Sequence, residues 1–131
     1  MRYTIREYNS KNIDPQKVSD LVEQFFKEEG FIVQTAKGSK GYVVQARKGG
    51  FFRTILAMNR AFTAVIDGDK DDFTVKLGVA EWLADLGMAA IESLLLSPAI
   101  AFIEVPEALW TFEIEHQLWH FLENQLQLGI Q

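Results

Sequence analysis

The chain has 131 residues, no cysteine and a formal net charge of −5, and these values limit its class before any motif is considered. Its length fits one domain, and 48% hydrophobic with 24% charged residues is typical of a globular protein. The absence of cysteine excludes disulfides, thiolate catalysis and sulfur-ligated metals, and it predicts a reducing, cytoplasmic location. Because general nucleic-acid binding needs a basic surface, the acidic balance predicts no nucleic-acid partner.

The N-terminal part predicts a short strand and then a helix. Alternating residues from 2 to 8 favour the strand. Asp14 and Pro15 form a strong helix start, because Asp caps free amides and Pro at the first helical position loses no hydrogen bond. Gly30 is suited to end this helix. The apolar residues between these signals have the spacing of one helical face: Val18, Leu21, Val22, Phe25 and Phe26.

The middle of the chain predicts two β-hairpins. Residues 31–36 and 42–48 are rich in aromatic and β-branched residues, and a glycine-bearing turn separates them. Residues 61–67 and 72–79 repeat this pattern with period-two alternation. Between the hairpins, residues 51–59 fit either a continued strand or a short helix.

The C-terminal part predicts helices. Apolar residues from Trp82 onward indicate a helix that reaches about Leu96, where Ser97 and Pro98 interrupt it. Pro106 then opens a long last helix, whose main stripe comprises Trp110, Ile114, Leu118, Phe121, Leu122 and Gln125. These elements predict a single α+β domain over residues 1–131. Its antiparallel sheet has about five strands in the order strand-helix-four strands-helices, and the helices pack on one face. This order resembles TATA-binding-protein-like or helix-grip-like topologies, a likeness that transfers no function.

A membrane span is not expected in the apolar stretch from Leu86 to Ile103. The stretch has eighteen residues, and Glu92 and Pro98 interrupt it. Its flanks carry no basic anchor. A buried core helix or a partner-contact helix is the favoured interpretation, and membrane contact stays open as the less favoured one.

Part of the chain, residues 43–82, resembles a family of small uncharacterised prokaryotic α+β domains. The shared elements are a Gln-Ala-basic-basic strand over residues 45–48, a connector bearing Met58, and an alternating strand over residues 73–78 that ends in Gly shortly before Trp82. The family has no assigned activity, so the resemblance implies no site. Some relatives follow this block with a membrane-like apolar hairpin.

Three short motifs resemble ligand sites without matching them. His116 and His120 lie one helical turn apart and are the candidates for a metal, but Gln117 stands where a zinc-protease helix has Glu. Residues 67–71 alternate carboxylates as a calcium loop does, but the required Gly and Glu positions do not match. Residues 37–41 lack the spacing of a phosphate loop. Hairpin turns and a solvated helix face explain all three, so no metal or cofactor is expected.

The charges are segregated along the chain. Residues 30–66 contain six basic residues and no acid, whereas residues 77–131 contain eight acids and neither Lys nor Arg. Three interpretations are open: a solvated sheet edge, attraction of an external anion, or pairing of the basic residues with the acidic helices within one chain or across a dimer. The last is favoured, and it predicts orientation more than stability because exposed ion pairs contribute little.

The leading functional hypothesis is a non-catalytic protein-interaction module that self-associates through its C-terminal helical region. Phe112 and Trp119 lie outside the main stripe of the last helix, and such apolar excess is typical of a partner site. The alternatives are a pocket for a small apolar ligand, lined by aromatic residues between the sheet and the last helix, and an enzyme of unknown reaction. The predicted interaction surface comprises Lys37, Lys40, Arg47, Lys48, Arg53, Arg60, Phe112 and Trp119. The predicted pocket aromatics are Phe31, Tyr42, Phe62, Phe73 and Trp110, for which a packed core is the favoured interpretation because protein interiors are close-packed.

Overall fold

The fold is known from a computed structural model, which describes residues 3–9, 12–48, 60–84, 87–97, 101–107, 110 and 112–128. Five antiparallel strands form one open sheet, in the order β1-β5-β4-β3-β2. The strands are β1 (Tyr3–Asn9), β2 (Ile32–Lys37), β3 (Gly41–Arg47), β4 (Arg60–Gly68) and β5 (Asp72–Glu81). The helices are α1 (Pro15–Glu28), α2 (Met88–Leu96) and α3 (Phe112–Leu128). The predicted α+β class with an antiparallel sheet is therefore confirmed.

Helix α1 begins and ends at the residues that the sequence indicates. The Asp14 side chain accepts a hydrogen bond from the Gln16 amide, and Pro15 takes the first helical position. Gly30 has a φ of +86°, a left-handed conformation that glycine adopts at little cost. The Phe31 amide then donates to the Phe26 carbonyl, which closes the helix before β2 begins.

The main core lies on one face of the sheet, which we call the first face, beneath α1 and α3. Phe62 of β4 is at its centre, within ring-centroid distances of 6.2 Å from Phe26, 5.8 Å from Phe31 and 6.0 Å from Trp110. Helix α3 lies beside α1 and extends to the edge strand β1, where the Tyr8 hydroxyl donates to the Glu123 carboxylate over 3.4 Å. Burial raises the pKa of Tyr8, and the neighbouring Glu123 carboxylate raises it further.

The prediction that the helices share one face holds for α1 and α3 but not for α2. Side chains alternate along a strand, so Val43 and Val65 point away from the first face. They form a smaller cluster with α2 and Phe102 on what we call the second face. Because Val43 and Val65 form an apolar strip on the second face, α2 can bury its own apolar side against that strip.

The segment after α2 connects the two faces. Phe102 belongs to the second-face cluster and lies 5.5 Å from the Tyr3 ring, whereas Val105 belongs to the main core. The predicted start of the last helix at Pro106 is wrong, because α3 begins at Phe112. Before its first turn, Trp110 packs edge-on against Phe62 and its indole N–H donates to the Glu115 carboxylate. The predicted stripe itself is confirmed in the burial of Trp110, Ile114, Leu118 and Leu122.

Candidate functional site

Helix α2 is short, and its sides differ in what they contact. Of its nine residues, Glu92 alone is charged. Met88 and Leu96 are each 61% exposed, so two large apolar side chains of this helix meet solvent, and Leu96 does so on the side away from the sheet. Such an apolar helix is normally covered all round. The buried residues of this cluster share the second face of the sheet: Ile91, Leu94, Leu95, Val43, Val65 and Ala80.

A carboxylate of α2 holds the β2–β3 turn. The Ser39 amide and hydroxyl each donate to the Glu92 carboxylate over 2.5 Å. These hydrogen bonds lower the pKa of Glu92, and the charge of Lys40 adds to the effect. The turn that resembles a phosphate loop is therefore a hairpin turn whose donors bind a carboxylate of the same chain. We call this contact the Ser39–Glu92 clasp.

Helix α2 and the hairpin approach each other closely at position 38. A Cβ built on Gly38 would lie 2.3 Å from Leu95 Cδ1 and 2.7 Å from Glu92 Oε1, well inside van der Waals contact. A larger residue at this position would therefore force the Leu95 and Glu92 side chains to shift.

A buried glutamine fixes the chain between β5 and α2. Gln45 is fully buried, and its Nε2 donates to Thr63 Oγ1 and to the Glu81 carbonyl. Its Oε1 accepts from the Leu83 amide and from Gln34 Nε2. Both amide protons and both oxygen lone pairs are thus used, which satisfies a group that is costly to bury unpaired.

This network overturns the prediction of a helix beginning near Trp82. Strand β5 continues to Glu81, and α2 begins only at Met88. Because Leu83 bonds to Gln45 through its amide and to Gln34 through its carbonyl, the segment lies across the second face. The Arg47 guanidinium stacks over the Trp82 ring at 4.1 Å, a cation–π contact. Gln45, Arg47 and Trp82 therefore lie close together on this part of the second face.

An open groove runs beside α2, between the helix, the end of β5 and residues 101–103. It comprises two adjoining depressions of about 240 and 290 Å³. Small and apolar residues form most of its walls, and Arg60, Glu81 and Ser93 supply polar groups. We call this surface the α2 groove, and its lining residues are Arg60, Ala80, Glu81, Leu83, Ala90, Ser93, Leu94, Ala101 and Ile103.

The predicted basic interaction residues lie in separate places. Lys37 and Lys40 are exposed at the β2–β3 turn, while Arg47 and Lys48 lie at the opposite end of β3. Lys48 Nζ donates to the Glu29 carbonyl over 2.8 Å. Arg60 lines the α2 groove. The remaining predicted residues, Arg53 and the side chain of Phe112, are outside the part of the chain that the structure describes, as are residues 51–59.

The placement of Trp119 in the predicted interaction surface is wrong, since this residue is only 4% exposed. Helix α3 covers the β1 edge of the sheet, so positions beside its main stripe also face a strand. The Arg6 guanidinium of β1 lies 5.5 Å from the centre of the Trp119 ring. Trp119 is therefore part of the main core and is not a contact surface.

The metal candidates His116 and His120 are exposed on α3, with parallel rings whose centres are 6.4 Å apart. Within the described ranges, no group of three or more His, Asp or Glu side chains could hold a metal ion. At the β4–β5 turn, the Asp69 carboxylate accepts from the amides of Asp71 and Asp72. It thus stabilises a turn, as Asp side chains do in such positions.

The predicted pocket aromatics lie against other side chains of the first face. The rings of Phe31, Phe62 and Trp110 form edge-to-face contacts, and Phe73 stacks on Tyr8 at 5.1 Å. Tyr42 is partly buried against the same cluster. These contacts correspond to a packed core, the other interpretation of the same residues.

Sequence reasoning missed Met88 and Leu96, the exposed apolar residues of α2. A signal was present, because residues 86–91 and 93–103 contain no charge and one short helix cannot bury every side of such a sequence. No helix in the described residues is long and apolar enough to cross a membrane.

No protein-family model matches this chain, and no curated protein is similar to it at a significant level.

Proposed function

We propose that the protein is a non-catalytic interaction module that self-associates through its C-terminal helical region, with α2 and the α2 groove as the contact surface. The supporting observation is the exposure of Met88 and Leu96 on a helix that has one charge. That charge belongs to Glu92, whose carboxylate is bound in the Ser39–Glu92 clasp. The outward side of α2 therefore offers apolar surface without a competing ionic group, as is typical of a partner site.

The shape of this surface favours a second copy of the chain as the partner. With 3.6 residues per turn, Ala89, Ser93 and Leu96 lie on the outward side of α2. Ala89 and Ser93 are small, so another helix can approach closely, while Leu96 projects as an apolar knob. The α2 groove beside the helix is mostly apolar and offers a complementary hollow. A twofold arrangement would use the same surface on both copies, as symmetric dimers do.

The proposal is tested by charging the outward side of α2. Leu96→Asp should weaken self-association at least about tenfold, because a carboxylate would have to leave water for an apolar contact. Analytical ultracentrifugation over a range of concentrations measures the change. Ile5→Asp is the matched control, since Ile5 is also an exposed apolar residue of the second face, 42% exposed, but belongs to β1 and not to α2.

Two results would contradict the proposal. One is a native protein that stays monomeric at high micromolar concentration. The other is a Leu96→Asp variant that keeps its secondary structure by circular dichroism and associates as strongly as the native chain.

A further inference from the structure

The two edges of the sheet differ in how they are protected. Strand β1 carries Arg6 and Glu7 in its middle, and such charges discourage the pairing of another strand. Strand β2 is uncharged from Ile32 to Ala36, and its first charge is the terminal Lys37. Ile32, at the start of β2, is 64% exposed. Within β2 itself, no charged residue and no proline lies between Ile32 and Ala36, so this six-residue edge lacks those two protective features.

The register of the hairpin shows which backbone groups of β2 point outward. The Gly38 amide bonds to the Gly41 carbonyl over 2.8 Å, so this pair is a hydrogen-bonded one. Bonded and non-bonded pairs alternate along an antiparallel ladder. The backbone amides and carbonyls that bond to β3 are therefore those of Ala36, Gln34 and Ile32. The amides and carbonyls of the residues between them point away from the sheet: Val33, Thr35 and Lys37.

These outward groups are symmetric about Thr35, which makes the edge complementary to itself. In an antiparallel pairing centred on Thr35, the backbone amide and carbonyl of Val33 in each chain bond to those of Lys37 in the other chain. On the second face, the same register places the exposed Ile32 opposite Gly38 of the second copy. Gly38 lies beneath Leu95 of α2, so Ile32 would meet an apolar neighbour there.

The charged residues at the two ends of β2 allow a second copy to pair. Helix α1 leads directly into β2, so the exposed Glu28 and Glu29 precede its Ile32 end. On the neighbouring strand, Arg47 lies opposite Ile32 and Lys48 donates to the Glu29 carbonyl, so this end carries both signs. Lys37 and Lys40 lie at the other end. Antiparallel pairing places Lys37 of each copy at the end of the other copy that carries Glu28, whereas a parallel arrangement would place the two Lys37 side chains at the same end.

We infer that the β2 edge is a second self-association surface, at which two copies of the chain pair antiparallel about Thr35 and join their sheets into one of ten strands. This contact is separate from the α2 groove. Backbone hydrogen bonds supply its affinity, and the placement of Ile32 opposite Gly38 sets its register. With two different twofold contacts, the native protein forms assemblies larger than a dimer.

The contact is tested with Thr35→Pro, measured by ultracentrifugation beside Leu96→Asp. Proline removes an amide that points away from β3, so the sheet keeps its internal ladder while the added strand loses a bond and meets the ring. Thr35→Pro should have the mass of a dimer, held by the α2 contact. Leu96→Asp should also have the mass of a dimer, held by the β2 contact. The protein with both changes should have the mass of a monomer. A folded Thr35→Pro protein with the native mass would overturn the β2 contact. A Leu96→Asp protein with the native mass would contradict the α2 contact alone.

A charge exchange keeps the inference falsifiable if proline disturbs the fold. Lys37→Glu and Glu28→Lys, each alone, place like charges at both ends of the β2 pair, and each should weaken this contact about tenfold. An equimolar mixture of the two variants restores opposite charges at both ends and should recover the dimer held by β2 at low salt. Both variants carry Leu96→Asp, so the measured mass reports the β2 contact only. If mixing restores nothing, the inferred pairing is wrong.

Discussion

The two faces of the sheet are built from alternate residues of the same strands, yet different interactions hold them together. On the first face, Phe62 is surrounded by aromatic rings from α1 and from the segment before α3. On the second face, Val43 and Val65 form a thinner apolar layer, and much of the order comes from the Gln45 network and the Ser39–Glu92 clasp. The packing of large apolar side chains stabilises the first face, whereas hydrogen bonds fix the position of α2 and of Leu83 on the second face.

The largest expected effect is from a cavity on the first face. Phe62→Ala should lower the free energy of unfolding by about 3–5 kcal/mol, because it removes a fully buried ring from the centre of the core. Val65→Ala is the comparison on the second face of the same strand, and it should cost about 2 kcal/mol. Urea denaturation measures both. Equal losses would mean that the two faces contribute alike.

A smaller effect is expected from the buried amide of the second face. Gln45→Met keeps roughly the same volume but leaves the Leu83 amide and the Glu81 carbonyl without their side-chain partner, at a cost of about 1–3 kcal/mol. Gln34→Met makes the same chemical change at a half-buried position, where water can replace the lost bonds. Denaturation curves should show a clear loss for Gln45 and a loss below about 1 kcal/mol for Gln34. Matching losses would refute the role given to burial.

The smallest effect concerns the clasp and depends on pH. The lowered pKa of Glu92 means that its bonds to Ser39 stabilise α2 above the ordinary carboxyl pKa and are lost as the pH falls through the lowered value. Hydrogen exchange at Ile91, Leu94 and Leu95, corrected for intrinsic rates, should therefore report weaker protection in acid. Glu92→Gln cannot titrate, and its protection should be weaker at neutral pH and change little with acid. A pH response equal to that of the native chain would exclude the clasp as its source.

Local signals in the sequence predicted the elements whose causes are local. The start of α1 depends on Asp14 and Pro15, and its end depends on Gly30, all within the helix or next to it. Both hairpins follow from glycine-bearing turns between alternating strands. These elements need no information from distant parts of the chain, so a pattern of period and turn chemistry is enough to find them.

The errors arose where a distant residue decides the local structure. Trp82 and Leu83 have helical spacing, but Leu83 is held by Gln45, which is 38 positions away in sequence. The burial of Trp119 depends on where α3 lies relative to β1, which helical periodicity does not contain. The placement of α2 on the second face likewise depends on Val43 and Val65. For the candidate site, the sequence showed the apolar excess of the C-terminal region, but it did not identify Met88 and Leu96 as the exposed residues.

The position of α3 in chain order has a consequence for biosynthesis. A polypeptide leaves the ribosome from its N-terminus, so all five strands and α1 emerge before α3 does. Until then, the part of the sheet that carries Tyr8, Phe73 and Leu77 lacks the helix that covers it. A nascent chain halted before residue 112 would present these apolar side chains to other proteins. During translation, this part of the sheet is therefore exposed to unwanted apolar contacts until the last helix arrives.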